Sequence, residues 1–495
     1  MSEPEHSVPL QKETCVKQSP SSYIFRVPNL PLIGSVLDRV TIDLLPDDVL
    51  LEIFVSYKND RANQKGFTWT WTIPIQVCRR WRHLIFESPR SLDIQLVCTP
   101  RTPTKRLLDF MPPFPITVFC SSLSLHSRTE VVENLIMALE RRDRTSHIYI
   151  YGIQSSELPE LIAVLDKPCP ILTNFALVMT GYESRPVLPK TFLGGSAPSL
   201  RTFTLAGVQF PTFPEFILSS THIVDLSLHD VGNISPEVMA SCLAALPKLR
   251  SFHIQSPSPL SHTVQNITPP PTRAALPALI HFSFYGASEY FETLVAQIDT
   301  PILKRLFITF LIPTLEIPRL YGFVDLIESL GPFDRADMAI SDREIKMACG
   351  SPTRFKLAFK CQVKGRPLSL MAQILSHQLR LLSHVEQLEI REHPWAKEDL
   401  VMDSSSLLEL FRLFIDVKSL YISGKVVATV AAALKELTME KTKDVFPALC
   451  DLYLEGLQSS ESVQELINPF IASRQLSGHP VVIQSWERQL SDDDS

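Results

Sequence analysis

Glycine is scarce in this sequence: 16 glycines stand against 39 prolines in 495 residues. Loops that cradle phosphate need glycine so that backbone N–H groups can approach the anion. Neither G-x-G-x-x-G nor G-x-x-x-x-G-K-[ST] occurs, which argues against nucleotide enzymes of those classes. The nine cysteines are scattered from Cys15 to Cys450 without a C-x-x-C pair. An odd set with no zinc spacing reads as free, mostly buried thiols in a reducing compartment. The thirteen histidines form no H-E-x-x-H or H-x-x-x-H, and no G-x-S-x-G elbow exists. Cys78 falls on the apolar side of a helical pattern and reads as core, not nucleophile. His83 reads as an exposed helix residue. The sequence offers no catalytic residue, metal ligand or cofactor site, and the expectation is a non-enzyme.

Long hydrophobic runs are missing as well. The longest near-apolar stretch, Val426 to Leu434, is far too short to cross a bilayer. The opening MSEPEHSVPLQKETC holds no apolar signal core. Charge is nearly balanced, with 47 basic and 53 acidic side chains and a net −6. Without a basic excess, neither nucleic acid nor membrane is expected as the partner. These absences together predict an intracellular protein, cytoplasmic and/or nuclear.

The chain is 45% hydrophobic and 20% charged, ordinary for a globular protein with a substantial core. Residues 1–40 are polar and Pro/Ser-containing and read as a tail. Residues 43–93 form a helical block, 128–485 alternate helix-like and strand-like segments, and 486–495 read as an acidic tail ending SDDDS. The prolines fit many short connections, each stopping a helix or opening a strand.

In the helical block, Pro46 suits a first helical turn because its missing N–H would be unpaired there anyway. Asp47 and Asp48 follow, where negative charge complements the exposed N–H groups. Val49, Leu50, Ile53 and Phe54 make one broad apolar face, widened by Leu51. A second helix, from about Pro74 to Phe86, carries Val77, Cys78, Trp81, Leu84 and Ile85 on one side. Arg79, Arg80, Arg82 and His83 lie largely opposite, most simply a solvated face. About fifty residues with this much apolar surface need a partner layer. Either the rest of the chain or another protein supplies it.

The segments Leu45-Pro46-x-x-x-Leu50-Leu51-x-Ile53-Phe54 and Val77-Cys78-Arg79-Arg80-Trp81-Arg82 resemble the two halves of an F-box, in the right order. They cover about a tenth of the chain. The connection from Ser56 to Ile73, with Trp69 and Trp71, is longer than usual, and Leu92-Asp93 stands where the family often has Leu-Trp. The resemblance implies docking onto the Skp-type adaptor of a cullin–RING ubiquitin ligase. Leu45, Pro46, Val49, Leu50, Ile53, Phe54, Val77 and Trp81 would then enter the adaptor's groove. The whole layout is similar to fungal F-box proteins with irregular leucine-rich repeats, including the closing VQELINPFIASRQLSGHPVVIQSWER.

Beyond the block, apolar residues recur at positions n, n+3 and n+5. The sets are Leu172/Phe175/Leu177, Leu200/Phe203/Leu205, Ile223/Leu226/Leu228, Leu249/Phe252/Ile254, Leu279/Phe282/Phe284 and Leu303/Leu306/Ile308. After a gap they return as Val385/Leu388/Ile390, Val417/Leu420/Ile422 and Leu449/Leu452/Leu454. The last two of each set would point inward from one strand, with the first capping the preceding turn. Strands are often preceded by Xaa-Pro, as at Ala197-Pro198, Leu246-Pro247, Leu276-Pro277 and Phe446-Pro447. Helix-like segments lie between, at 235–246, 289–298, 368–382, 407–414, 427–437 and 463–472. Unit spacings of about 23 to 32 residues describe a leucine-rich solenoid, which must stack to bury its faces.

The match is irregular. Val208 and Val231 stand where the ladder asparagine is expected, and residues 310–384 fit poorly. MAISDREIKMACG and RFKLAFKCQV in that gap look like extra strands. The expected fold class is therefore α+β: a small all-helical N-terminal F-box followed by a curved, irregular α/β leucine-rich repeat-like solenoid. An ordinary α/β domain is the alternative. In the solenoid, residues at n+2, n+4 and n+6 face outward: His229, His253, His281, Tyr285, Arg305, Gln387, Glu389, Arg391, Tyr421, Asp451 and Tyr453. Such a mixture suits binding of a protein target of unknown identity, and it equally suits any solvated sheet. The leading expectation is a ligase subunit that recognises targets. A scaffold using the same modules outside a ligase, and a hydrolase with an unrecognised site, are the alternatives.

Overall fold

The computed structural model describes residues 42–62, 73–88, 95–121, 128–181, 185–232, 234–256, 273–311, 317–361, 366–377, 382–393, 404–437, 444–455 and 461–486. The predicted tail 1–40, the predicted acidic tail after Trp486, Trp69, Trp71 and Leu92-Asp93 lie outside them. The chain divides into two compact units, Met1–Ile53 and Phe54–Ser495.

In the first unit a 3-10 turn, Ile42–Leu44, leads into helix α1, Asp47–Ala62, which continues past the division. Pro46 precedes it, and its carbonyl accepts the Leu50 N–H at 3.1 Å. Asp47 and Asp48 occupy the first turn as the dipole argument expects.

The second unit opens with two short helices, α2 (Pro74–Val77) and α3 (Arg79–Glu87), where the sequence pattern predicts one. The break is at Cys78, whose backbone is extended and whose Sγ accepts the Trp81 N–H at 3.4 Å. A side-chain acceptor at this position caps α3 and satisfies a donor that a continuous helix would have bonded to the backbone. Arg82 Nε donates to the Ile75 carbonyl at 3.0 Å and ties the two helices across the break. Phe86 packs on Phe110 and Phe114 downstream, at ring-centroid distances of 5.8 and 6.3 Å.

Sixteen strands then form one sheet: β1 (Gln95–Cys98), β2 (Ile116–Ser121), β3 (Thr145–Ile153), β4 (Asn174–Met179), β5 (Thr202–Ala206), β6 (Asp225–His229), β7 (Ser251–Ser256), β8 (His281–Gly286), β9 (Arg305–Leu311), β10 (Arg335–Ile340), β11 (Glu344–Cys349), β12 (Phe355–Lys360), β13 (Gln387–Glu392), β14 (Ser419–Ser423), β15 (Asp451–Glu455) and β16 (Val482–Trp486). Among the described residues, eleven further helices connect them: α4 (Thr104–Phe110), α5 (Arg128–Leu139), α6 (Leu158–Leu165), α7 (Phe213–Leu218), α8 (Pro236–Ala244), α9 (Ser288–Val295), α10 (Pro318–Asp325), α11 (Arg366–Ser376), α12 (Ser404–Phe411), α13 (Val426–Lys435) and α14 (Glu461–Leu476). The sheet starts at Gln95, well before residue 128, where the sequence pattern starts the array.

In all nine n, n+3, n+5 sets the last two residues sit on a strand, as predicted, and the first precedes it. Phe175, Phe203, Leu226, Phe252, Phe282 and Leu306 are in register across six neighbouring strands, and Leu177, Leu205, Leu228, Ile254, Phe284 and Ile308 form the next row. Every residue of both rows is buried. At about 1.5–3 kcal/mol for each such side chain, these rows are the main cohesion of the array. The leading residues are buried too, and a turn explains the prolines before them. The N–H of Leu200, Leu249, Leu279 and Leu449 donates to the carbonyl three residues earlier, at Ala197, Leu246, Leu276 and Phe446. Proline thus occupies the second position of each turn, where its fixed φ is already correct. Val208 and Val231, at the ladder-asparagine positions, are also buried.

Helices cover the buried side. Phe291 of α9 meets Phe284, Phe310 and Phe323 at 5.1, 5.5 and 6.2 Å, spanning successive units with one ring. From β5 to β9, alternate strand residues are buried or partly open. One face of the sheet is core and the other is open.

The poorly fitting gap holds β10, β11 and β12. Spatial order runs β9-β12-β11-β10-β13, so the chain skips two places, returns twice antiparallel, and rejoins the parallel array. The tight turn Ser341–Glu344 closes the first reversal, with the Ser341 N–H donating to the Glu344 carbonyl at 2.7 Å. The architecture is a long, mostly parallel sheet in a solenoid of the leucine-rich kind, interrupted by an antiparallel insertion.

Candidate functional site

The eight candidate docking residues divide by exposure. On α1, Val49 and Ile53 lie one helical turn apart and are 39% and 41% exposed. Pro46 is exposed and Leu45 half-buried. Leu50 is 0% and Phe54 4% exposed, so neither offers surface to a partner, contrary to the sequence expectation. The helical pattern fixes which residues share a face, not how far the surrounding chain closes over it. Val77 is 58% exposed at the end of α2. Trp81 is half-buried and meets Phe54 edge-on.

The outward candidates all lie on the open face of the sheet. Three histidines occupy consecutive strands. His229 Nε2 lies 2.8 Å from Ser227 Oγ and its Nδ1 3.2 Å from Gln255 Oε1. His253 Nε2 lies 3.0 Å from Ser251 Oγ. The His253 and His281 rings meet at 4.6 Å, nearly perpendicular, and His281 meets Phe307 at 4.9 Å. Burial, with His253 and Arg305 nearby, pushes His281 down to about 4, and burial with His229 lowers His253. At neutral pH both rings are neutral. Arg305 is exposed and in register with His281. Tyr285 lies beneath the Lys360 ammonium, 5.4 Å from its ring centroid.

A second group lies on β13 to β16. Glu389 is almost buried and accepts from Arg335 Nη2 at 3.0 Å. Gln387, Glu389 and Arg391 are in register with Ser419, Tyr421 and Ser423. Tyr421 and Tyr453 stack in parallel, centroids 4.4 Å apart and planes 7° from coplanar, and Trp486 meets Tyr421 edge-on at 5.3 Å. Asp451, at the start of β15, is half-buried. The sequence pattern did not mark Trp486, Arg335, Lys346, Lys356 or Lys360. The alternation in REIKMAC and RFKLAFK carried the signal for the lysines.

A groove of about 560 Å³ runs along the strand starts, lined by Asn174, Arg201, Thr202, Asp225, Lys248 and Arg250 among others. Among the described residues, no cluster of three or more His, Cys, Asp or Glu is placed to hold a metal ion. No described helix is long and apolar enough to cross a membrane.

No protein-family model matches the chain, and no curated protein matches it. Among solved structures, the chain is similar to the leucine-rich repeat-containing protein LegL7 from Legionella pneumophila, at 12% identity and a TM-score of 0.28. The match covers 79% of this chain and 99% of that one. The long parallel sheet, its one-sided core and its turn prolines resemble those of a leucine-rich solenoid.

Proposed function

We propose that the chain is the target-recognition subunit of a Skp–cullin–F-box type ubiquitin ligase. The N-terminal helices dock the Skp-type adaptor, and the open face of the repeat sheet holds a target protein. Catalysis then belongs to other subunits, and this chain contributes proximity and orientation. The reading is supported by the two motif halves in their proper order. The observation that carries it is the apolar surface left open on α1 at motif positions Val49 and Ile53, since such residues ordinarily seek cover.

The burial of Leu50 and Phe54 favours a second reading, a repeat scaffold that works without the ligase. One experiment separates the two. Val49→Asp combined with Ile53→Asp changes exposed positions and leaves the buried pair intact. Copurification with a Skp-type adaptor is expected to fall at least about tenfold while the thermal midpoint stays within about 2 °C. A complex that survives the double substitution, or that never forms with the unmodified chain, sinks the ligase reading.

A further inference from the structure

A row of backbone hydrogen bonds crosses the sheet just before its strands begin. The Val224 N–H donates to the Arg201 carbonyl, Arg250 to Val224, Ile280 to Arg250 and Lys304 to Ile280, at 2.7, 2.7, 2.8 and 2.9 Å. These residues stand one position ahead of β5, β6, β7, β8 and β9. Arg201, Arg250 and Lys304 are exposed, while Val224 and Ile280 between them are half-buried. Neighbouring strands lie about 4.8 Å apart, so each of the three basic residues stands roughly 9.5 Å from the next. The groove of about 560 Å³ at this rim is lined by Arg201, Arg250 and also Lys248, with Asp225 the one acid among its described lining residues.

Farther along, the same row neutralises itself. Glu386 and Lys418 hold the matching positions ahead of β13 and β14, joined by the Lys418 N–H to the Glu386 carbonyl at 2.8 Å, and their side chains pair at 2.7 Å. From β5 to β9 the intervening positions are instead Val224 and Ile280. Among the described residues, no carboxylate lies within ion-pair distance of Arg201, Lys248, Arg250 or Lys304. Asp225, although it lines the groove, engages none of them. In a chain of net charge −6, this rim is a local concentration of positive charge whose complement is an anionic partner.

We propose that this rim binds an acidic segment of a protein partner, extended as a polyproline II helix with a carboxylate at every third residue. Polyproline II rises about 3.1 Å per residue with three residues per turn, so side chains at i and i+3 share one side about 9.3 Å apart. That repeat matches two strand spacings, and Arg201, Arg250 and Lys304 meet successive carboxylates. In a β-strand the side chains on one side fall about 6.7 Å apart, out of step with the row. Val224, Pro247 and Ala278 give the residues between the carboxylates an apolar floor. Nucleic acid fits poorly. No aromatic ring among the described lining residues offers a base a stacking platform, and Asp225 interrupts the track that a phosphate backbone requires. The groove lies at the rim where the strands begin, and the proposal does not rest on the ligase reading.

The purified full chain is titrated with short alanine–proline peptides and with a single-stranded oligothymidylate. One peptide carries glutamate at every third position, one carries glutamine there, and one carries the same number of glutamates at alternate positions. The first is expected to bind at least about tenfold more tightly than the glutamine peptide and about threefold more tightly than the alternating one. Its advantage is expected to shrink with added salt. Arg201→Gln, Arg250→Gln and Lys304→Gln together are expected to erase the preference, with the thermal midpoint within about 2 °C. Arg106→Gln, Arg412→Gln and Lys435→Gln together remove the same charge from other exposed positions and are expected to preserve it. Equal binding of the glutamate and glutamine peptides, equal binding of the two glutamate spacings, or a preference that survives the first triple substitution overturns the proposal. Tighter oligothymidylate binding marks a nucleic-acid site, and a dimer in sedimentation that the first triple substitution dissolves marks a second copy of the chain as the occupant. Either result also overturns it.

Discussion

The rings of Phe54 and Trp81 meet edge to face, their centroids 4.9 Å apart and their planes inclined by 61°. Both residues lie in the second unit, with Phe54 4% exposed. Phe54→Ala is expected to cost about 3–5 kcal/mol in chemical denaturation. The pair should show a coupling of about 0.5–1.5 kcal/mol in a double-mutant cycle with Trp81→Ala. Additive effects would mean that the rings do not pack as described. Substitutions at either position therefore perturb folding, whereas the exposed Val49 and Ile53 test the proposed docking without that effect.

The histidine row makes the array acid-sensitive. His281 titrates near 4 in the folded chain because burial, His253 and Arg305 oppose its protonation, while an unfolded histidine titrates near the ordinary 6.5. Between those values the unfolded chain binds the extra proton, so stability falls as pH drops from about 6.5 toward 4 and levels off below. His253 is lowered as well and adds in the same direction. His281→Gln is expected to flatten the denaturation midpoint across that window, leaving the residual slope of His253. An unchanged slope would show that His281 is not the responsible group.

Most of the repeat array is legible in the sequence because one local rule generates it. Leu200, Phe203 and Leu205 fall at fixed spacing on a strand, and Pro198 announces the turn before it. β1 escapes notice because Leu96, Val97 and Cys98 are all buried, which erases the alternation that marks a strand with one open face. The extra strands of the insertion are visible in MAISDREIKMACG and RFKLAFKCQV, but their order is not. The reversal at Ser341–Glu344 and the return at Gly350, held at a φ of 88°, are set by turn geometry and tertiary pairing. The same limit applies on α1. Periodicity puts Val49, Leu50, Ile53 and Phe54 on one face, and only the packed chain separates the exposed pair from the buried one. Cys78 conceals the break between α2 and α3 because cysteine is an uncommon cap and its neighbours continue the helical pattern.

Two glycines test the packing of the array with opposite signs. Gly286 ends β8, paired with Ser256 of β7 and Phe310 of β9. A methyl group there would stand 2.7 Å from the Ser256 carbonyl oxygen and 3.1 Å from the Phe284 ring. The carbonyl belongs to backbone fixed by its neighbours on both sides, so it cannot give way without disturbing the sheet. Gly286→Ala is therefore expected to destabilise the protein by about 1–3 kcal/mol. Gly322 lies inside α10 with nothing within 4 Å of an added methyl group. There alanine removes a helix-interior glycine, and a gain of about 0.5–1 kcal/mol is expected. Guanidinium midpoints of the two variants measure both effects under one condition. A stabilising shift for Gly286→Ala would mean that the close approach of β7 and β8 does not exist in solution, and a destabilising shift for Gly322→Ala would mean that α10 is not open at that position.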